Sequence, residues 1–313
     1  MSTAKFVPPT AGADNEGVRE ALAESSIGEL LKDAFIRFRF ADGFSFARSM
    51  AFQVVLALIP GVIFVVALAV RIGEGRLQSL LREAVTSLAP GPAGETLIIA
   101  FQQGSDAGRA NLIAMILGGS AAIISGVAAM AQLQRGSSRI YGVLGDRPTL
   151  HRYGLATALT LTTGLLLAGA FLLIVFGSSI GGAAQGGLID TWAWARWPLG
   201  AIALILGLAG LFKKAPNRQQ ASFAWLALGG SIAAMGWLAV SIGLSMFLNA
   251  STTFGQTYGP LAGFIGVMLW AFLSSIAVFY GLAVAAQLEA VRAGVSSPID
   301  DRTPDERTPE KVA

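Results

Sequence analysis

Cysteine is absent from the 313 residues and histidine occurs once. Without thiols there are no disulfides, no thiolate metal sites and no cysteine nucleophile; the compartment stays open, because a chain held by packing needs no redox staple. Charge is scarce as well: 13% of the residues are Asp, Glu, Lys or Arg, and 54% are hydrophobic. An average soluble domain carries roughly 25% charged residues and spreads them over its whole surface. Here Asn111 to Gln134 and Tyr153 to Ile189 are almost free of them. Apolar runs beyond about 18 residues read as bilayer spans, since about 20 helical residues cross roughly 30 Å of hydrocarbon. The composition predicts an all-α polytopic membrane protein of about six spans with amphipathic interfacial helices.

Residues 1–26 are polar, contain Pro8 and Pro9, and lack the early apolar core of a signal peptide. They are expected to form a flexible cytoplasmic tail. From Ile27 to Phe44, apolar Leu30, Leu31, Ala34, Phe35 and Phe38 alternate at helical spacing with Lys32, Arg37 and Arg39. That pattern suits an amphipathic helix on the membrane surface, or a soluble juxtamembrane helix. The six-helix membrane domain covers 27–292, with spans near 47–70, 112–132, 154–180, 195–212, 223–248 and 258–288. Between the first two spans, 71–110 predicts two short helices separated by Ala89-Pro90-Gly91-Pro92, and this segment could itself enter the bilayer. Residues 293–313 are expected to be a disordered cytoplasmic tail.

Orientation follows from the cations. Seventeen of the 22 Lys and Arg fall in the N-terminal segment, loops 132–153 and 213–222, and the C-terminal tail. The positive-inside rule places those segments, and both termini, in the cytoplasm. Net charge is only +3, so a nucleic-acid surface is not expected.

Soluble-type catalysis lacks its parts. His151 stands beside Arg152 at a span boundary, metal-ligand spacings are missing, and the acids lie mostly in the tails and first loop. No enzyme activity, metal or cofactor is expected. Four other features stand out. Pro60-Gly61 interrupts the first span, where a kink or break is expected; such breaks line substrate sites in some transporters and are ordinary in other spans. Gly255, Gly259 and Gly263 recur every fourth residue into the last span, presenting a bare face for close packing or a permeation path. Arg135, Arg139, Tyr141 and Arg147, with Arg218 in the next basic loop, could contact phosphate or anionic headgroups, although an orientation signal alone would also produce such arginines. Gln53, Gln287 and Glu289 are the candidate intramembrane polar residues, with Arg292 placed to neutralise Glu289.

Four motifs stand in order along the chain: Ser49-Met50-Ala51-Phe52 running to Leu58-Ile59-Pro60, Arg139-Ile140-Tyr141-Gly142-Val143 before Arg147-Pro148, Pro216-Asn217-Arg218, and Thr257-Tyr258-Gly259-Pro260-Leu261-Ala262-Gly263 leading to Leu269-Trp270. Together, over residues 28–292, they resemble the YihY/BrkB family of bacterial inner-membrane proteins. The resemblance implies a six-helix protein of the cytoplasmic membrane, linked to envelope lipid handling and serum resistance. It also brings an older ribonuclease label that no residue here supports. Two positions depart from the family pattern: Gln287 replaces a Glu common in the last span, and Ser138 replaces an Asn before the Arg-Ile-Tyr motif. The expected function is transport or translocation of an anionic lipid or other amphiphilic envelope component. A non-transporting scaffold is the alternative, and a membrane ribonuclease the more distant one. Membrane lipids, including anionic headgroups, are the expected partners, and a homo-oligomer is compatible with the sequence.

Overall fold

The computed structural model describes residues 4–9, 26–72, 92–110, 112–163, 166, 188–250, 257–258 and 261–300. Seven helices are delimited: α1 Ile27–Phe40, α2 Gly43–Ile72, α3 Pro92–Ala110, α4 Leu112–Ile140, α5 Leu188–Lys214, α6 Phe223–Ala250 and α7 Ala262–Arg292. Residues 149–163 are also helical. No β-strand occurs among the described residues; one isolated bridge pairs Ala4 with Ile299. Four stretches are long and apolar enough to cross a membrane: Gly43–Leu68, Met115–Ile140, Phe223–Leu248 and Ala262–Arg292. The expected span at 195–212 lies within α5, and the one at 154–180 falls mostly outside the described residues. The all-α membrane architecture is as expected.

The chain divides into two compact units. The first comprises residues 1–46, 130–236 and 276–313. In it α1 begins with Glu29 and ends with Arg37 and Arg39, charges that complement the helix dipole. Its apolar stripe is not turned wholly to lipid. Leu30 and Ala34 pack with Ala221, Trp225, Val284 and Leu288 in a buried core, while Ile27 and Phe35 stay exposed. A tight turn at Asp42, with φ of 61°, leads into α2. Phe38 and Phe44 meet edge to face at 4.8 Å across that turn.

In the same unit α6 and α7 touch backbone to backbone. A Cβ on Gly281 would lie 2.6 Å from the Ala233 side chain, and one on Gly229 would lie 2.6 Å from the Gly281 carbonyl. Gly236 faces Ala277 in the same run. This is small-residue packing, which membrane helices use because lipid offers no hydrophobic drive to associate.

The second unit comprises 47–129 and 237–275. Its core joins Ala51 and Val55 of α2 to Val267 and Ala271 of α7. Here the expected break is corrected: α2 runs unbroken from Gly43 to Ile72 through Pro60. Pro60 forfeits one backbone hydrogen bond, but the site is packed. Gly118 brings α4 to 3.4 Å from the Pro60 carbonyl, measured from an ideal Cβ, and Gly61 faces Ala122. Gly104 of α3 lies tighter still, an ideal Cβ falling 2.7 Å from Ile63 O and 2.8 Å from the Val66 side chain. Ile116, Leu117, Ile124 and Met246 remain exposed on this unit, as lipid-facing side chains would.

Candidate functional site

The first unit buries a polar network at the ends of its helices. Arg37 follows Leu30 and Ala34 on the apolar stripe of α1 and is 0% exposed. Its Nε donates to Gln287 Oε1 at 2.8 Å, and its Nη1 donates to the carbonyls of Lys5 (2.8 Å) and Ile140 (3.3 Å). Its Nη2 is buried without a hydrogen-bond partner among the described residues. Burial lowers the Arg37 pKa to about 10, still far above neutrality, so the side chain is a buried cation.

Arg218 is the second member. Its Nη2 donates to Glu289 Oε1 at 2.5 Å, with side chains 0% and 1% exposed. Nη1 donates to Val7 O at 2.9 Å, Nη2 reaches Pro8 O at 3.4 Å, and Nε donates to Gln219 O at 2.9 Å. The guanidinium also stacks 4.5 Å above the Tyr141 ring. Tyr141 is fully buried, its hydroxyl takes no partner among the described residues, and burial pushes its pKa upward. A desolvated cation on a ring face is worth about 2 kcal/mol. Two guanidinium cations face one carboxylate here, and backbone carbonyls supply most of the remaining acceptors.

Those carbonyls correct the reading of the tails. Residues 4–9 form an extended segment whose Val7 is 0% exposed. Val7 N–H donates to Tyr141 O at 3.1 Å, and Lys5 N–H donates to Pro298 O at 3.2 Å. Phe6 crosses so close to Gly142 that a Cβ there would sit 2.6 Å from its backbone, and Gly142 has φ of +74°. Only glycine meets both demands without strain. At the other end, Gln287 Nε2 donates to Ser296 O at 2.5 Å. Stretches of both tails are therefore part of the folded unit.

The departures from the family pattern acquire a role. Gln287 accepts from Arg37 and donates to Ser296; a carboxylate could accept but not donate. Ser138 Oγ donates to Gln134 O and accepts from Asn217 N–H at 3.1 Å. Glu289 takes Arg218, 71 residues away, as a buried partner that the sequence did not suggest beside Arg292.

Beside this network lies a small cleft lined by Gln134, Arg135, Asp146, Arg147, Arg152 and Asn217. Arg147 is a strut in its wall. It donates to Gln134 Oε1 at 3.1 Å and to the carbonyls of Ala215 (2.9 Å), Pro216 (2.7 Å) and Lys214 (3.3 Å). Burial lowers its pKa. Arg152 makes a loose 3.9 Å pair with Asp146 and lies 5.2 Å over Tyr153. The Nε atoms of Arg135 and Arg152 are buried with no hydrogen-bond partner among the described residues. His151 is exposed.

The structure thus brings Arg135 and Arg147 together in the cleft and commits Tyr141 and Arg218 to the buried network. Arg139 is half-buried near the end of α4. Gln53 is half-buried in the second unit, and Gly263 is buried near the start of α7. Gly255 and Gly259 lie outside the described residues. Arg37, Gln134 and residues 5–8 were missed. Arg37 carried a signal, a cation in register with the apolar stripe of α1.

The chain matches the family model described as virulence factor BrkB over residues 34–306. It is 26% identical over 264 residues to the ribonuclease-like protein YfkH of Bacillus subtilis, covering 82% of this chain and 94% of that protein. UPF0761 membrane proteins of Azoarcus and Delftia acidovorans are each 30% identical, over 78% and 80% of this chain. The chain spans 59% of the length of each of those two relatives. No solved structure matches. A match over most of its length, on helices of membrane-spanning size, shows that this chain belongs to the BrkB family of membrane proteins.

Proposed function

We propose that this protein binds and translocates an amphiphilic envelope component with an anionic headgroup, and does so without enzymatic chemistry. The observation that carries the reading is the cleft: Arg135 and Arg152 hold buried Nε–H donors that no acceptor among the described residues takes. A buried donor without an acceptor costs about 1–3 kcal/mol, and an oxyanion would remove that cost. Guanidinium forks match phosphate geometry better than ammonium groups do. Leu150 is 89% exposed and Tyr153 41% exposed on the adjoining helix, which gives the apolar part of such a molecule a surface beside the headgroup. On this reading the protein resides in the cytoplasmic membrane with both termini inside, as the distribution of Lys and Arg supports. Membrane lipids are its partners and no nucleic acid is required.

The test uses proteoliposomes carrying headgroup-labelled phosphatidylglycerol or phosphatidylcholine. Binding and bilayer crossing of the anionic probe are expected, with a loss of about tenfold or more in the Arg135→Ala/Arg152→Ala double variant, roughly 1.4 kcal/mol of headgroup contact. If neither probe binds or crosses with the wild-type protein, the reading fails. The scaffold alternative predicts that removing the tails abolishes function without unfolding the protein. Residues 4–9 are already used internally, which weighs against that stretch as a recruiting arm. The ribonuclease alternative predicts metal-dependent cleavage of precursor RNA by purified protein, and none is expected.

A further inference from the structure

Besides Gln287, Ile140, Gln219 and Glu289, the acceptors on Arg37 and Arg218 include three carbonyls of one short peptide: Lys5 O on Arg37 Nη1, Val7 O on Arg218 Nη1 and Pro8 O on Arg218 Nη2. This peptide is held to its surroundings by little else that is polar: Val7 N–H to Tyr141 O, Lys5 N–H to Pro298 O, and the bridge of Ala4 to Ile299. The described part ends at Pro8-Pro9, two residues without backbone donors. Beneath it, Arg37 Nη2 and the Tyr141 hydroxyl are buried donors with no hydrogen-bond partner among the described residues.

We propose that residues 4–9 are a displaceable plug over a second oxyanion site, in which phosphate oxygens replace the carbonyls of Lys5, Val7 and Pro8 on Arg37 and Arg218. Withdrawal of the segment frees Nη1 of Arg218 and leaves Nη1 of Arg37 with only its longer bond to Ile140 O. Together with Arg37 Nη2 and the Tyr141 hydroxyl they form a donor set that converges from α1, from the turn after α4 and from the loop before α6. Glu289 keeps its partner on Arg218 and Gln287 keeps Arg37 Nε, so the pocket retains its walls when the plug leaves. With Glu289 on Arg218 and Asp33 acting on Arg37 as the carboxylates within reach, it is the charge-assisted guanidinium donors that suit a phosphate-type anion over a neutral group. The site is distinct from the Arg135–Arg152 cleft, and its test reads binding without any movement of lipid, so failure of either idea leaves the other standing.

The test is amide hydrogen exchange on the full chain in phosphatidylcholine nanodiscs, followed at Lys5 and Val7 against the core of α7. A ligand that binds only the unplugged state must raise the population of that state, by a factor of 1 + [L]/Kd. Exchange at Lys5 and Val7 is expected to run faster than in α7, and to rise about tenfold at ten times the dissociation constant of inorganic phosphate. Chloride at equal ionic strength is expected to have no such effect. Phosphatidylglycerol discs without phosphate form the second arm: acceleration there alone identifies a lipid headgroup as the ligand, and acceleration in both identifies any accessible phosphate. The cysteine-free sequence allows a lock. Ala4→Cys/Ile299→Cys joins a bridged pair whose Cα atoms lie about 4.5–5.5 Å apart, suitable for a disulfide. Oxidation should abolish the acceleration and a reductant restore it. The proposal is overturned if the two amides are as protected as α7 under every condition, if chloride acts as phosphate does, or if the oxidised lock responds like the reduced one.

Discussion

The two units of this protein are held by different physics. Of the eight buried polar or charged residues among those described, seven lie in the first unit: Arg37, Gln134, Ser137, Ser138, Arg218, Gln287 and Glu289. The eighth, Ser275 in the second unit, returns its hydroxyl to Ala271 O of its own helix. The second unit instead packs Ala51, Val55, Val267 and Ala271, with glycines setting the distances. Small-residue packing tolerates some sliding, because many weak contacts can be remade a little further along. A guanidinium that is desolvated and shared among named oxygens cannot slide, because each donor it loses is left unpaired in a low-dielectric interior. The first unit therefore adds fixed partners to the small-residue packing of α6 on α7, and the second rests on fit.

The sharpest way to break this comparison is to remove one partner of the buried pair. Arg218→Met leaves the Glu289 carboxylate buried beside a methionine and strips Val7 and Pro8 of their donor. A loss of about 3–5 kcal/mol is expected, read as a fall in the midpoint of denaturant unfolding in detergent. Arg218→Met combined with Glu289→Leu should recover part of it, because no uncompensated charge then remains. Equal losses in the single and double variants would mean that the ion pair is incidental to the fold.

Arg37→Met comes next. It removes charge-assisted bonds to Gln287, Lys5 and Ile140, expected to cost about 1.5–3 kcal/mol. Faster amide exchange should be confined to residues 5–8. Arg37→Lys keeps the charge but not the fork, and should recover less than half of the loss. Full recovery would show that charge alone, rather than geometry, holds the segment.

How much of this was legible in the sequence differs between the two units as well. The long apolar helices were, because apolar runs of bilayer length admit one reading: α4 and α6 contain the expected 112–132 and 223–248, while α7 begins at Ala262, inside the expected 258–288, and runs on to Arg292. Of the kink or break expected at Pro60-Gly61 the break does not occur: proline forbids one hydrogen bond, but whether the helix opens there depends on neighbours, and Gly118 and Ala122 close around it. The glycine repeat at 255–263 drew attention to one end of α7, while the close backbone approach of Gly229 and Gly281 carries no obvious local period. The polar network was the least legible part. Glu289 has a basic neighbour in sequence and a different one in space. Residues 5–8 look like tail because their value lies in backbone carbonyls, which every sequence has. Tyr141, Arg218, Gln287 and Glu289 were singled out without their partners, and Arg37 was passed over although it sits where a leucine should.

Glycine substitutions probe the comparison at smaller scale. Gly281→Ala drives a methyl toward the Gly229 carbonyl and Ala233, so α6 and α7 must separate, at an expected cost of about 1–3 kcal/mol. Gly119→Ala in the second unit meets only the Phe64 ring, which can rotate away, and a cost under about 1 kcal/mol is expected. Thermal unfolding of the two variants side by side checks the order, and reversal of that order would remove the distinction between rigid and yielding contacts.

The smallest expected effect is the most discriminating for the second unit. Trp270 Nε1 donates to Ser241 Oγ at 3.1 Å, a side-chain bond between α7 and α6. If fit governs this unit, that bond is an accessory. Interhelical hydrogen bonds in membranes average only about 0.6 kcal/mol, because helices apart in lipid find other partners. Ser241→Ala removes the acceptor with almost no change in volume, and the half-buried indole N–H can turn to water or a headgroup. A shift of about 0.6 kcal/mol or less is expected in the unfolding free energy, with no change in exchange at Lys5 or Val7. A loss comparable to that of Arg218→Met would mean that the second unit also depends on a fixed polar partner, and the division between the two units would then be one of number rather than of kind.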